Sequence, residues 1–297
     1  MRAGAGVTRG LDHIVHAVRD LDAAASFYER LGFTVGARNI HPWGTCNQLV
    51  QLPGFFIEIV SIADEEVLEA AINRFDGLAQ LFGAVIRNHL VRGEGLAFVM
   101  LESSDATRDA AEFAFHGIAL SGALTFSRQG RLPDGAEATL GFSLAFVGEE
   151  TGSANGFAVC QQLNPQAFWN KAFQDHRNGA QAVKGAVLVA DNPSDHHIFL
   201  EAFTGMRAPR STSLGLVAQT PRGEVEIVEV PFFRDAYGVE VKGEEDLQLA
   251  GLRIEVADLA AMRALLAGNH IPGELRGSRL VVGPQAAFGA TLVFEEA

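Results

Sequence analysis

The sequence has little of what extracellular, membrane or nucleic-acid proteins carry. Its two cysteines, Cys46 and Cys160, cannot make a disulfide framework. They are expected to be reduced thiols packed in the core of a cytoplasmic protein. No apolar run approaches the roughly 20 residues of a membrane span. Residues 1–9 lack the apolar stretch of about 7–15 residues that marks a secretory signal. Lys and Arg number 23 against 36 Asp and Glu, so the net charge of -13 has the wrong sign for a phosphate backbone. Tyr and Trp number 2 each, whereas Phe numbers 21. That imbalance favours apolar interiors and an apolar ligand pocket over polar-tipped surfaces.

What remains is a chain of 297 residues with 48% hydrophobic side chains. It is long enough for roughly two domains of about 150 residues and needs no staple to fold. A repeat organises it. The strand LDHIVHAV (11–18) is followed by Asp20 as helix cap. The helix DLDAAASFYERL places Leu21, Ala24, Ala25, Tyr28 and Leu31 on one face, and Gly32 stops it. Strands are expected at 33–37, 46–51 and 55–62. The same order returns from GLAFVMLE (95–102), with a helix after Asp105 and strands near 120–127, 138–147 and 156–162. It returns again from GAVLVAD (185–191), with a helix ending at Gly205 and strands near 213–218 and 223–230. The fourth round starts at GLRIEVAD (251–258), with the helix LAAMRALLAG and strands near 278–282 and 289–295.

The sequence is therefore an α+β chain of four βαβββ units. Residues 64–92 break the period and read as one or two amphipathic helices inserted between the first two units. The expected division is 1–164 for a first domain, 165–182 for a connecting segment and 183–297 for a second domain.

Several polar residues stand out. Glu58 lies among Phe55, Phe56, Ile57, Ile59 and Val60, where a charge needs a partner unless it faces solvent. The loop HPWGTCN combines His41, Trp43, Thr45 and Asn47 with a turn-forming Gly44. That set suits a polar small molecule with an unsaturated part, or a loop braced by Asn47. Trp169 and His176 fall at the joint between the halves. His176 is a general-base or anion-contact candidate, or a brace for the joint. His196 and His197 point in different directions on a helix and read as surface or capping residues.

The opening LDHIVHAVRDLDAAASFYERLGF resembles the first unit of the vicinal oxygen chelate superfamily. HPWGTCNQLV (41–50) and FWNKAFQDHRNGA (168–180) resemble its glyoxalase-like branch. The resemblance implies two domains of paired βαβββ units and a small-molecule site, here in the N-terminal domain. It puts His13 and Glu58 at metal-ligand positions, with Gln162 or water completing the shell around Zn, Mn, Fe or Ni. Trp43, His41, Thr45, Asn47, Phe98 and Trp169 would line the substrate site. The expected activity is metal-assisted lyase, isomerase or ring-cleaving dioxygenase chemistry on a small oxygen-rich metabolite. Without a metal, Glu58 or His176 would act as general base. The alternative is a metal-free protein that binds or sequesters a small molecule. The His13 position becomes Phe98, Ala186 and Gly251 in the other units, so the second domain reads as a structural or lid-forming copy. The expected partners are a small molecule and, by resemblance, a second copy of the chain in a homodimer; nucleic acid and membrane are not expected.

Overall fold

A computed structural model describes residues 7–74, 77, 79–131, 137–148, 155–241 and 247–297. In the first unit, β1 (Leu11–Ala17) leads to α1 (Leu21–Arg30), β2 (Asn39–Ile40), β3 (Thr45–Leu52) and β4 (Phe55–Ile62). The strand expected at 33–37 does not form, and the short β2 takes its place. Asp20 caps α1 by accepting from the Ala23 amide, and Gly32 takes the left-handed conformation that ends it. The insertion is α2 (Glu65–Asn73), a π-helical turn (Ala79–Gly83) and α3 (Ala84–Arg92). Gly44 makes room for it. With φ at +98°, its carbonyl receives the Ala63 and Asp64 amides, and a Cβ there would lie 2.6 Å from the Leu68 nitrogen.

The second unit is β5 (Gly95–Glu102), α4 (Ala106–Phe115), β6 (Ala119–Arg131), β7 (Glu137–Gly148) and β8 (Gly156–Gln162). A short α5 (Pro165–Phe168) follows. The third unit is β9 (Ala180–Ala190), α6 (His197–Thr204), β10 (Arg210–Thr212), β11 (Gly215–Gln219) and β12 (Glu224–Glu229). A helix not expected from sequence, α7 (Val230–Tyr237), comes next. The fourth unit is β13 (Gln248–Val256), α8 (Leu259–Gly268), β14 (Glu274–Arg276), β15 (Arg279–Val282) and β16 (Thr291–Glu296). Asp105 and Asp258 cap α4 and α8 as Asp20 caps α1, so the same local device starts the helix in three units.

Two eight-stranded sheets result. Their orders are β2-β3-β4-β1-β5-β8-β7-β6 and β10-β11-β12-β9-β13-β16-β15-β14. The orders match strand for strand, so each half places its two units side by side in the same way. One continuous apolar core holds one face of each sheet together with α1, α4, α6 and α8. Arg9 is buried inside that core. It pairs with Asp109 of α4 at 2.8 Å, donates to the carbonyls of Ala202 and Phe203 on α6, and lies over the Phe113 ring. The other face of each sheet carries its own apolar cluster. In the first half that cluster includes Trp43, Leu68, Phe82 and Ile86 from the insertion and the loop before β3. The insertion and α5, rather than the second half, therefore cover the first sheet's site face, and the lid role expected of the second half is not what the packing shows.

Candidate functional site

Strand alternation places His13, Phe56, Glu58, Met100 and Cys160 on the same face of the first sheet. They line a small cavity of about 70 Å³, closed on one side by Phe82 of the insertion and on another by Phe168 of α5. His13 and Glu58 are both buried, so Glu58 does not face solvent.

The His13 ring is held from several sides. Its Nδ1 donates to Asp12 Oδ2 at 2.6 Å, and the ring stacks on Phe56 with centroids 4.2 Å apart. A carboxylate only accepts, so Nδ1 carries a proton and Nε2 is turned toward Glu58. Nε2 lies 3.8 Å from Glu58 Oε2. Glu58 is oriented in turn by Asn47, whose Nδ2 donates to Oε1 at 2.5 Å. A ring nitrogen and a carboxylate oxygen thus face each other, an arrangement that a proton or a shared cation stabilises.

Asp12 collects further donors. Gln162 Nε2 reaches its Oδ1 at 2.9 Å, and the Cys160 thiol also hydrogen-bonds to it. Burial pushes the Cys160 thiol well up from its ordinary value, with the Asp12 and Glu58 charges adding to the effect. Ligand atoms of Asp12, His13 and Cys160 lie within 4.8 Å of one another, a grouping able to hold a metal ion. Gln162 Oε1 is buried with no hydrogen-bond partner.

A polar chain leads from Glu58 to the cavity mouth. Asn39 Nδ2 donates to Asn47 Oδ1 at 3.0 Å, and Arg128 Nη1 donates to Asn39 Oδ1 at 3.2 Å. Each amide is thereby fixed in orientation, with its oxygen toward the cation and its nitrogen toward the carboxylate. Burial pushes the Arg128 guanidinium down from its ordinary value, and the Glu58 charge opposes this. His41 stacks on Trp43 at 4.5 Å and bonds Thr45 Oγ1 through Nδ1 at 2.8 Å. Burial lowers its pKa, so the ring is neutral near pH 7.

The other sequence candidates lie around this centre. Thr45 is fully buried behind His41. Phe98 stacks on Phe82 and supports the wall from behind. Trp169 packs edge-on to Phe56 and Phe168. His176 sits outside the cavity with both ring nitrogens engaged. The Thr34 amide donates to Nδ1 at 3.0 Å, and Nε2 donates to the Gln51 carbonyl at 2.7 Å. His196 stands at the N-cap of α6, one of the two places expected for it, but it is fully buried and not at the surface. His16 is buried too, with Nε2 on the Phe288 carbonyl and Nδ1 on the Tyr28 hydroxyl, each at 2.9 Å.

The second half answers each cavity position. In the first half His13 pairs with Met100, Val15 with Glu58, and Glu102 with Cys160. In the second, Gly185 pairs with Arg253, Val187 with Glu226, and Glu255 with Glu295. The counterparts of His13, Glu58, Met100 and Cys160 are thus Gly185, Glu226, Arg253 and Glu295. The His13 position in this unit is Gly185 and not Ala186, which faces the shared core. Arg253 grips Glu295 through two bonds of 2.7 and 3.0 Å, reaches Glu224 at 2.8 Å and contacts Glu226.

This architecture, with a polar cluster on one face of paired βαβββ units, defines a protein of the vicinal oxygen chelate type. The chain belongs to the glyoxalase-like domain family, which matches residues 11–204, more than half of its length. It is similar in structure to a hypothetical protein from Staphylococcus aureus. That match has 12% identity and a TM-score of 0.69, and it covers 97% of this chain and 100% of the other. It is also similar to a mutant of 4-hydroxymandelate synthase from Streptomyces coelicolor. There the identity is 11% and the TM-score 0.58, over 97% and 92% of the two chains. At these identities the likeness is one of fold. No curated protein matches the chain in sequence. Among the described residues, no helix is long and apolar enough to cross a membrane.

Proposed function

We propose that the chain is an enzyme that moves a proton next to a carbonyl or hydroxyl carbon of a small oxygen-rich metabolite, in the N-terminal cavity. One observation carries this reading: His13 Nε2, fixed by the Asp12 bond on Nδ1, faces Glu58 Oε2 inside an apolar enclosure. His13 Nε2 takes the proton. Asp12 and Glu58 then flank the ring, so the imidazolium has a carboxylate on each side. Glu58 cannot swing away, because Asn47 holds its other oxygen. Phe56, Phe82 and Phe168 keep bulk water from the transferred proton.

The residues fit a divalent metal. His13 and Cys160 would hold it, with Asp12 or Glu58 as the carboxylate, and the unpartnered Gln162 Oε1 is an additional oxygen donor close to Asp12. Imidazole, carboxylate and thiol together suit Zn or another first-row ion. Such an ion supplies Lewis-acid polarisation of a bound oxygen.

The test is solvent-deuterium exchange followed by proton NMR. Small α-hydroxy and α-keto acids are incubated with the protein alone and with Zn, Mn, Fe or Ni salts. Exchange is expected with the wild type and should fall at least about a hundredfold in His13→Asn. Compounds that bind but never exchange, whatever the metal, would replace this reading with a ligand-sequestering protein. The mainly apolar cavity wall supports that second reading.

A further inference from the structure

The cavity contains a cation that makes no ion pair with any described residue, Glu58 acting on it only at a distance. Arg128 on β6 lines the same enclosure as His13 and Glu58. It also lines a groove outside, formed with Asn39, Gln51 and Asn170 and bordered by a second cation, Arg38, and one carboxylate, Glu137. The guanidinium therefore stands at the passage between groove and cavity. Its one hydrogen bond among the described residues goes to a neutral amide, Asn39. No carboxylate of the described residues lies within ion-pair distance of it. Its five N–H donors consequently leave most of their capacity unused. The buried arginines, and some others, are ion-paired. Arg9 is paired with Asp109 and Glu112, Arg222 with Glu102, and Arg253 with three glutamates. In a chain with 36 acidic residues, an unpaired, largely buried arginine at a cavity mouth calls for a partner from outside.

The geometry points to an anionic substrate, and we propose that Arg128 receives its carboxylate or phosphate group. The rest of the substrate is apolar or aromatic. It lies between Phe56, Phe82, Phe126, Phe142 and Phe168, with its reacting carbon toward His13. This assignment rests on the reading of the cavity as a small-molecule site and says which small molecules it takes. Arginine suits the role because its planar fork matches both oxyanions. The chain from Arg128 through Asn39 and Asn47 to Glu58 gives the pairing a second effect. An anion on Arg128 competes for the guanidinium that polarises Asn39, so Glu58 is linked to occupancy of the mouth.

The test uses binding rather than turnover, so that it stands apart from proton chemistry. Phenylacetate, phenyl phosphate and the neutral phenylacetamide are titrated by calorimetry at low salt into wild type, Arg128→Gln and Arg128→Lys. Expected is binding of one or both anions at least about tenfold tighter than the amide, lost in Arg128→Gln by about ten- to a hundredfold. Arg128→Lys should retain part of it. The tighter of the two anions identifies the group the site takes. Unchanged circular dichroism and melting temperature in both variants keep the comparison sound. Equal affinity for acid and amide in the wild type overturns the proposal. So does an equal loss of both in Arg128→Gln, or no binding of any probe at millimolar concentration. His13→Asn separates the two readings: it should abolish proton exchange and leave the anion preference in place.

Discussion

The two halves of this chain share a sheet order and differ in what fills the site face. In the first half, His13, Glu58, Met100 and Cys160 border a cavity. In the second, at the corresponding Gly185, Glu226, Arg253 and Glu295, the Arg253 guanidinium occupies the centre and binds the carboxylates around it. The same frame thus gathers carboxylates twice. In one case their counter-charge must come from a proton, a metal or a ligand. In the other it is built into the chain. The removal of a side chain at Gly185 and the arrival of one at Arg253 belong together, since they are paired across adjacent strands. The second half thus neutralises these carboxylates from within, on the same sheet order.

That comparison can be broken from either side. The largest effect is expected from Met100→Arg, which gives the first half the internal cation of the second. The introduced guanidinium should pair with Glu58 and Asp12, filling the cavity. Proton exchange and phenylacetate binding should both disappear while the circular dichroism spectrum is kept. A variant that still binds would show that the cavity does not depend on this position.

The reverse change, Arg253→Met, removes the second half's cation and leaves Glu224, Glu226 and Glu295 without it. A loss of about 3–5 kcal/mol in urea unfolding is expected at neutral pH. The pH dependence should reverse as well. Burial would raise the Glu295 carboxyl, but its bonds to Arg253 and Arg279 and their charges hold it below the ordinary 4.5. A depressed carboxylate stabilises above its unfolded value, and that contribution fades as pH falls through the folded one. The wild type should therefore lose stability on acidification below about 4.5, whereas Arg253→Met should gain.

The smallest of the three effects concerns the contact between the halves. Burial lowers the His16 pKa from 6.5 to about 4, with the Phe288 carbonyl opposing the shift and His89 adding to it. A histidine buried neutral stabilises above its unfolded value and ceases to as pH falls toward the folded one. Stability should decline between pH 6.5 and 4 by at most about 3 kcal/mol. His16→Gln should flatten that slope, and an unchanged slope would assign it to other groups.

The fold was largely legible because each unit repeats a local code: a β-branched strand, an Asp cap, an amphipathic helix and a stopping glycine. The insertion was legible as a break in that period. The 33–37 strand was misjudged because its apolar residues, Phe33 and Val35, pack on the shared core without a strand partner. Helix α7 was missed because Pro231 and two phenylalanines follow a strand directly, where sequence pattern favours more sheet. At the site, His13 and Glu58 were singled out by the family resemblance, and both line the cavity. Asp12 was not, because strand alternation sends neighbours to opposite faces, yet its carboxylate reaches around to the His13 ring. Arg128 left no signal beyond alternation with Phe126 on β6. Its isolation from carboxylates is a property of three dimensions alone. Likewise nothing local marks His196 as buried.

Arg9 has a bearing on how small this protein can be. It joins α4 of the first half to α6 of the second, within a core that both halves build. A fragment ending before β9 would keep every residue of the cavity. It would also expose the apolar face under α1 and α4 and strand a buried guanidinium and its aspartate in water. Such a fragment would be expected to aggregate before it could react. The second half is thus a folding partner permanently tethered to the first.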